Sequence, residues 1–521
     1  MSPRLLASSV AVALSLGAAA ASAQSVLKVV PHSDLKILDP IQTTARISVN
    51  HGNMVFETLF AWDEDLTVRP QMVETTTVSA DKLTYTMTLR PGLKWHDGTA
   101  VTSKDVVPSL NRWMVRDVAG QKLKEFVAEL TPVDDRSFKF VLKEPVGWVE
   151  FALGASAGTV PFIMQARHAA TDPFKGVTEM VGSGPFKFIA PEWRPGTKVV
   201  WEKNKDYVPR TEAPNGLAGG RVARVDRVEW IVIPDCATAA NALIAGEVDL
   251  VDNPCADMLP VLEKSKDVVL KALDKGAYGI VRPNHLFPPF NDLRARQALA
   301  LAVDQKDYLR AAYGEKNTAV CYSYFYCGTG FGTEVGSEEF RKPDLARARQ
   351  LLAASGYKGE VIVVLHAADN PVLGAIAQVA ADGLRQIGGN VELRTMDWNS
   401  VLTLRGKKDL PTAGGWSIFT TTASNSLMFH PLINFATNTE CGGRNWFGWA
   451  CDEEADKLRT HFLKQTDEAE KKKAIEALHR RLWQTLPSIL TGQAASPFAW
   501  RKNVEGVLSA PVLLFYNIRK V

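Results

Sequence analysis

The residues that could carry chemistry are few and scattered. Gly154-Ala155-Ser156-Ala157-Gly158 has the Gly-x-Ser-x-Gly spacing that can raise a serine hydroxyl on a tight turn. A nucleophile of that kind needs a strand before it and a helix after it. Thr159-Val160-Pro161 follows instead, and a proline there opposes the helix. Ser156 therefore reads as part of a small-residue loop, with an exported hydrolase as the rival reading. Phosphate chemistry fares no better. No Walker-type glycine-lysine loop occurs. Gly328-Thr329-Gly330-Phe331-Gly332 has the wrong spacing for a dinucleotide fingerprint, and Gly182-Ser183-Gly184-Pro185 loses a donor to its proline. The carboxylate pairs Asp134-Asp135 and Asp452-Glu453 sit in polar stretches that read as solvated turns or helix starts. Nothing assembles an acid, a base and a nucleophile, so the expectation is a non-enzyme without a cofactor.

Metal chemistry is equally thin. The cysteines are Cys236, Cys255, Cys321, Cys327, Cys441 and Cys451, with no Cys-x-x-Cys and no His-Glu-x-x-His among them and the nine histidines. No metal site is expected. Fifteen disulfide pairings are open to six cysteines, and sequence alone selects none. Pairing near neighbours, Cys236 with Cys255, Cys321 with Cys327 and Cys441 with Cys451, is the economical expectation.

Aromatic side chains are what the chain has in place of catalytic groups. Thirteen tryptophans are present, and Trp398, Trp416, Trp446 and Trp449 crowd one region. Most tryptophans pack cores. Trp416, however, follows Gly414-Gly415, and rings on such turns commonly line ligand clefts.

The elements that must position these residues mix strands and helices throughout. Tyr85, Met87 and Leu89 alternate with Thr84, Thr86 and Thr88, the period of a half-buried strand. Val26 to Val30, Ser137 to Lys143 and Arg227 to Ile233 read as further strands. Asp344 caps a helix ended by Gly356, Pro371 opens another that stops at Gly388, and Asp467 to Leu486 is a long charged helix stopped by Pro487. At 521 residues the chain has room for three or four compact units of roughly 150 residues. No repeat and no flexible linker divides it, which suggests lobes joined by crossing strands that act as hinges.

Composition sets the outer limits. Hydrophobic residues make up 46% and charged residues 22%, the balance of a globular chain. With 60 basic and 57 acidic residues there is no field for a nucleic-acid-binding face. Arg4, the small apolar run Leu5 to Ala21 and Ala21-Ser22-Ala23 have the form of a signal peptide, placing the mature start at Gln24 and the protein outside the cytoplasm.

One set of motifs is more specific. Lys94-Trp95-His96-Asp97-Gly98 is followed by Thr102-Ser103-Lys104-Asp105-Val106, in which Thr102 and Asp105 can form a capping box. Gly182-Ser183-Gly184-Pro185-Phe186, Asn204-Lys205-Asp206-Tyr207, Gly246-Glu247-Val248-Asp249, Asp292 to Ala298 and Asp344 to Tyr357 come after it in order. Together they resemble the bacterial extracellular solute-binding proteins of family 5, the dipeptide-, oligopeptide- and nickel-binding components of ABC importers. The resemblance covers nearly all of the chain after the leader.

It implies an α/β fold, type II and cluster C-like. Two lobes close on a cleft, and an extra domain is inserted in the first. The first lobe would comprise 24–59, 183–275 and 487–521, the inserted domain 60–182 and the second lobe 276–486. It implies a disulfide between Cys441 and Cys451. It also implies a monomer that captures a peptide or similar polar solute by lobe closure and delivers it to permease subunits with separate ATPase subunits, or else a non-transport receptor or chaperone of the same fold. Trp416 falls where the family presents an aromatic to the cleft. Trp398 is a second candidate, and His32, Ser33 and Asp34 are candidates for the opposite wall. In peptide-binding members a Gly-Trp-x-x-Asp aspartate holds the α-ammonium. Gly415-Trp416-Ser417-Ile418-Phe419 puts Phe419 at that place, and no acidic residue lies between Pro411 and Thr439. Free-amine peptides should therefore bind weakly, and the solute should be amine-blocked, non-peptidic or aromatic, unless Asp397 or Asp34 takes over the ammonium.

Overall fold

A computed structural model describes residues 24–156, 158–273, 276–442, 445–465, 467–495 and 497–521. The expected signal peptide lies outside these residues. Two mixed sheets organise the molecule. The seven-stranded sheet runs, in spatial order, Phe186–Phe188, Lys198–Lys203, Arg227–Ile231, Val26–Val30, Leu250–Val251, Pro497–Arg501 and Val268–Ala272. Its centre pairs Val26–Val30 in parallel with Arg227–Ile231 and with Leu250–Val251. The six-stranded sheet runs Thr318–Ala319, Ile489–Ala494, Ala277–Pro283, Ile418–Ser424, Ile362–Ala367 and Val391–Met396. Helix Pro371–Gln386 packs on it, started by Asn370, whose side chain accepts the Leu373 N–H.

The chain passes from the first sheet to the second between Ala272 and Ala277, and returns between Ala494 and Pro497. Strand Ile489–Ala494 pairs with Ala277–Pro283. The return crossing expected near 487 is therefore displaced, because the helix stopped by Pro487 is followed by one more strand of the second sheet.

A four-stranded antiparallel sheet of Val73–Val78, Thr84–Leu89, Ser137–Leu142 and Val127–Pro132 lies within 60–182, the segment expected to be an inserted domain. Tyr85, Met87 and Leu89 are its buried face. Helix Ser103–Arg116 begins at Thr102, whose N–H donates to Asp105 Oδ2 at 2.9 Å. A buried ion pair fixes this region to the segment that follows strand Val26–Val30. Arg112 Nη2 donates to Asp39 Oδ2 at 2.9 Å, with both side chains about 1% exposed. Within the region His96 N–H donates to Gly182 O at 2.7 Å, and Gly182 in turn packs on Val55 outside it. A Cβ on Gly182 would lie 1.8 Å from Val55 O, so only glycine permits this approach. Disulfides join Cys236 to Cys255, Cys321 to Cys327 and Cys441 to Cys451, the near-neighbour pairing.

Candidate functional site

A cavity enclosing about 1130 Å³ of empty space, its open mouth included, lies between the two sheets. From the first lobe it is lined by His32, Thr44, Arg46, Asn253 and Phe498, and from the second by Asn370, Trp398, Arg405, Thr421 and Thr422. Strand Ile418–Ser424 supplies the threonines. It pairs with Ala277–Pro283 along its whole length but meets Ile362–Ala367 only at Val364↔Ile418, so its far half carries no ladder on that side.

The second-lobe wall is built by the short helix Trp398–Leu404, with Asp397 as its N-cap and Arg405 at its C-cap. Trp398, Val401, Leu402 and Arg405 follow helical spacing and form its buried stripe. Trp398 N–H donates to Asp369 Oδ1 at 2.7 Å, which sets the start of the helix. Arg405 is 2% exposed, and its Cζ lies 4.5 Å from the Phe447 ring, 5.4 Å from Phe419 and 5.8 Å from Trp398. Burial pulls its pKa down to about 9, still charged at neutral pH.

The first-lobe wall is a compact charge cluster. His32 Nδ1 lies 2.6 Å from Asp252 Oδ2, and Arg46 Nη2 lies 3.2 Å from Asp252 Oδ1. Burial, then the neighbouring Arg46, holds the His32 pKa below its ordinary value despite Asp252. Arg46 and Asp252 thus neutralise each other while His32 stays uncharged. Among the described residues, three polar contacts join the two walls. Lys36 Nζ meets Asp397 Oδ1 at 3.0 Å, Asn399 Nδ2 donates to Asp34 O at 3.4 Å, and Arg405 Nη2 donates to Thr44 Oγ1 at 3.2 Å. These contacts describe lobes closed over a pocket.

A family model for bacterial extracellular solute-binding proteins, family 5 (middle region), matches residues 67–435. The chain belongs to that family. A probable peptide ABC transporter periplasmic-binding protein of Sinorhizobium fredii is 38% identical over 494 residues, covering 94% of this chain and 92% of that one. Among solved structures, the binding protein AgaA of A. tumefaciens R10 with agropinic acid has a TM-score of 0.80 at 21% identity, covering 95% and 99% of the two chains. The oligopeptide-binding protein AppA of Bacillus subtilis with a nonapeptide has a TM-score of 0.78 at 21% identity, covering 96% and 99%. This family 5 protein is a substrate-binding component of an ABC importer, and its two-lobed α/β fold is the fold of those structures.

Within this binding protein the candidate residues separate. His32 and Trp398 line the cavity. Trp416 does not, contrary to expectation: its indole is fully buried, edge-on to Phe419 at 5.2 Å and against Trp449 at 5.9 Å. The Gly414-Gly415 turn delivers the ring into the core beneath the sheet rather than into the cleft. Phe419 is also fully buried and reaches the cavity only as the bed under Arg405. Ser33 and Asp34 are buried beside the wall without lining it, and Asp34 Oδ2 is engaged by Gly196 N–H at 2.7 Å. Asp397 is held by Lys36 and by its own helix cap. Asp34 Oδ1 has no partner among the described residues, but neither Asp34 nor Asp397 lines the cavity.

Ser156 is buried, with helix Val149–Leu153 before it and strand Phe162–Ile163 after it, the reverse of a nucleophile turn. Sequence reasoning missed Arg405. The available signal was an arginine seven residues after Trp398, on the same stripe as Val401 and Leu402.

Proposed function

We propose that this binding protein captures a peptide-like solute without a free amine in the interlobe cavity and presents the closed form to permease subunits whose separate ATPase subunits drive transport. It works as a monomer in the periplasm after cleavage at Gln24. One observation supports the ligand assignment above others: residues of both lobes line the cavity, and none of them is Asp or Glu. A ligand touching both walls favours the closed state because only there does it gain both sets of contacts. An ammonium placed in this cavity would lose its hydration without a carboxylate in return. The unladdered half of strand Ile418–Ser424 is suited to a ligand with backbone-like amides. The peptide-binding name of the Sinorhizobium fredii relative agrees with this class.

Calorimetry with matched free-amine and N-acetylated peptides, combined with small-angle scattering, tests the reading. Acetylated peptides should bind and contract the protein, and free amines should bind weakly. Sub-micromolar affinity that vanishes on acetylation would refute it. The hydrolase reading predicts turnover abolished by Ser156→Ala, and the geometry around Ser156 gives it no support.

A further inference from the structure

Two buried arginines in the second lobe differ in how many acceptors they engage. Arg282 is fully buried, yet its Nε donates to Phe447 O, and its Nη1 donates to Ala436 O, Pro487 O and Ser488 Oγ. That is a structural arginine: four protein acceptors share its Nε and Nη1, and only its Nη2 has no partner among the described residues. Arg405 is buried nearly as deeply and makes one hydrogen bond, to Thr44 Oγ1 on the facing lobe. Its Nε has no partner among the described residues. A guanidinium carries five N–H donors, so most of Arg405 is unanswered. The ring faces around it soften the loss of hydration but accept no hydrogen bond.

The rest of the cavity does not answer it either. Of the charged groups facing it, Arg46 is already matched by Asp252 behind it, and no Asp or Glu is among the residues that line the cavity. A buried charge is retained when something pairs with it. Among the described residues no carboxylate pairs with Arg405, which leaves its free donors for a group from outside the chain.

We propose that Arg405 is the anion anchor of the cleft and receives a carboxylate of the bound solute, so that the solute is an acid. This rests on the interlobe cavity being the solute site. A single planar fork suits one carboxylate, which it can bind through two parallel N–H donors. The contact from Arg405 to Thr44 ties that recognition to closure, since the same guanidinium touches the opposite lobe.

Two measurements test the proposal. The first needs no ligand: thermal unfolding of the empty wild type, Arg405→Met and Arg282→Met. Removing an unanswered charge should leave Arg405→Met at least as stable as wild type, whereas Arg282→Met, which strands four acceptors, should melt lower. An Arg405→Met variant that melts as low as Arg282→Met makes Arg405 structural and overturns the proposal. The second uses N-acetylated dipeptides as free acids and as C-terminal amides, read by calorimetry and small-angle scattering. Wild type should favour acid over amide by about 30-fold or more, the loss expected when one partner of a buried charge pair is removed. Arg405→Met should erase that preference and Arg405→Lys should keep part of it. Acids and amides that bind equally and both contract the protein would overturn the anion anchor and leave the cavity as the site. An acid preference that survives in Arg405→Met without contraction would move the site elsewhere. Failure of every acid in the set to bind also overturns the proposal.

Discussion

Acid should weaken this protein steeply, and two histidines show why. His51 and His479 are both fully buried. His51 Nδ1 accepts the Trp201 indole N–H at 3.1 Å, so a proton added there would face a donor. His479 Nε2 accepts the Tyr324 N–H at 3.1 Å, while its Nδ1 lies 2.6 Å from Val335 O and donates to it. Its second proton would likewise meet an N–H. Burial holds the pKa of His51 down to about 3 and, with smaller opposing effects, that of His479 down to about 4, against 6.5 for a free imidazole. The unfolded chain therefore binds more protons than the native one as soon as pH drops below about 6.5, so stability falls with falling pH until the native pKa values are reached. At about 1.4 kcal/mol per unit, the drop to about pH 5 costs about 2 kcal/mol per histidine and about 4 kcal/mol for both. Urea unfolding at about pH 8 and about pH 5 reads this directly, and other buried histidines add to the wild-type loss. The double variant His51→Gln, His479→Gln keeps neutral donors and acceptors at both sites. Its loss between the two pH values should be about 4 kcal/mol smaller than that of wild type. A loss equal to wild type would refute the reasoning, whatever the absolute stability of the variant.

Two further outcomes follow from the packing. Arg112→Met should destabilise the protein by about 3–5 kcal/mol in urea unfolding, because it leaves Asp39 buried and uncompensated; a cost under about 1 kcal/mol would mean the pair is dispensable. Trp398→Ala should weaken binding of the acetylated acids by about 2 kcal/mol and remove the ligand-dependent change in tryptophan emission, whereas Trp416→Ala should cost about 3–5 kcal/mol of stability and retain that emission change. The opposite assignment of the two phenotypes would put Trp416 in the cleft.

What was legible in the sequence was scaffold. Lys94 to Gly98 and Gly182 to Pro185 identify the family, and the structure shows them gripping each other: His96 N–H bonds Gly182 O, and Gly182 and Gly184 lie so close to the backbone of Met54 and Val55 that a Cβ would collide. Such contacts depend on backbone shape, which admits one residue type and so leaves a readable motif. Strand Thr84–Leu89 was legible for a related reason, since its period of two follows from having one buried face. The cleft obeys no local rule. Gly414-Gly415-Trp416 suggested a presented ring because a glycine turn precedes it, but where the ring goes depends on Trp449, Phe419 and the sheet above them. Asp34 and Asp397 looked available as carboxylates, and only the tertiary structure shows that Gly196 takes one oxygen of Asp34, that Lys36 pairs with Asp397 and that neither lines the cavity. Arg405 sits in Leu404-Arg405-Gly406-Lys407-Lys408, a run that reads as a solvated basic loop. Its burial comes from Phe447, about forty residues on, and from Thr44 in the other lobe, so its unanswered charge is a property of the closed molecule alone. The family is thus written in residues that hold the lobes' parts together. The choice of ligand is written in a residue whose significance appears only once the lobes meet.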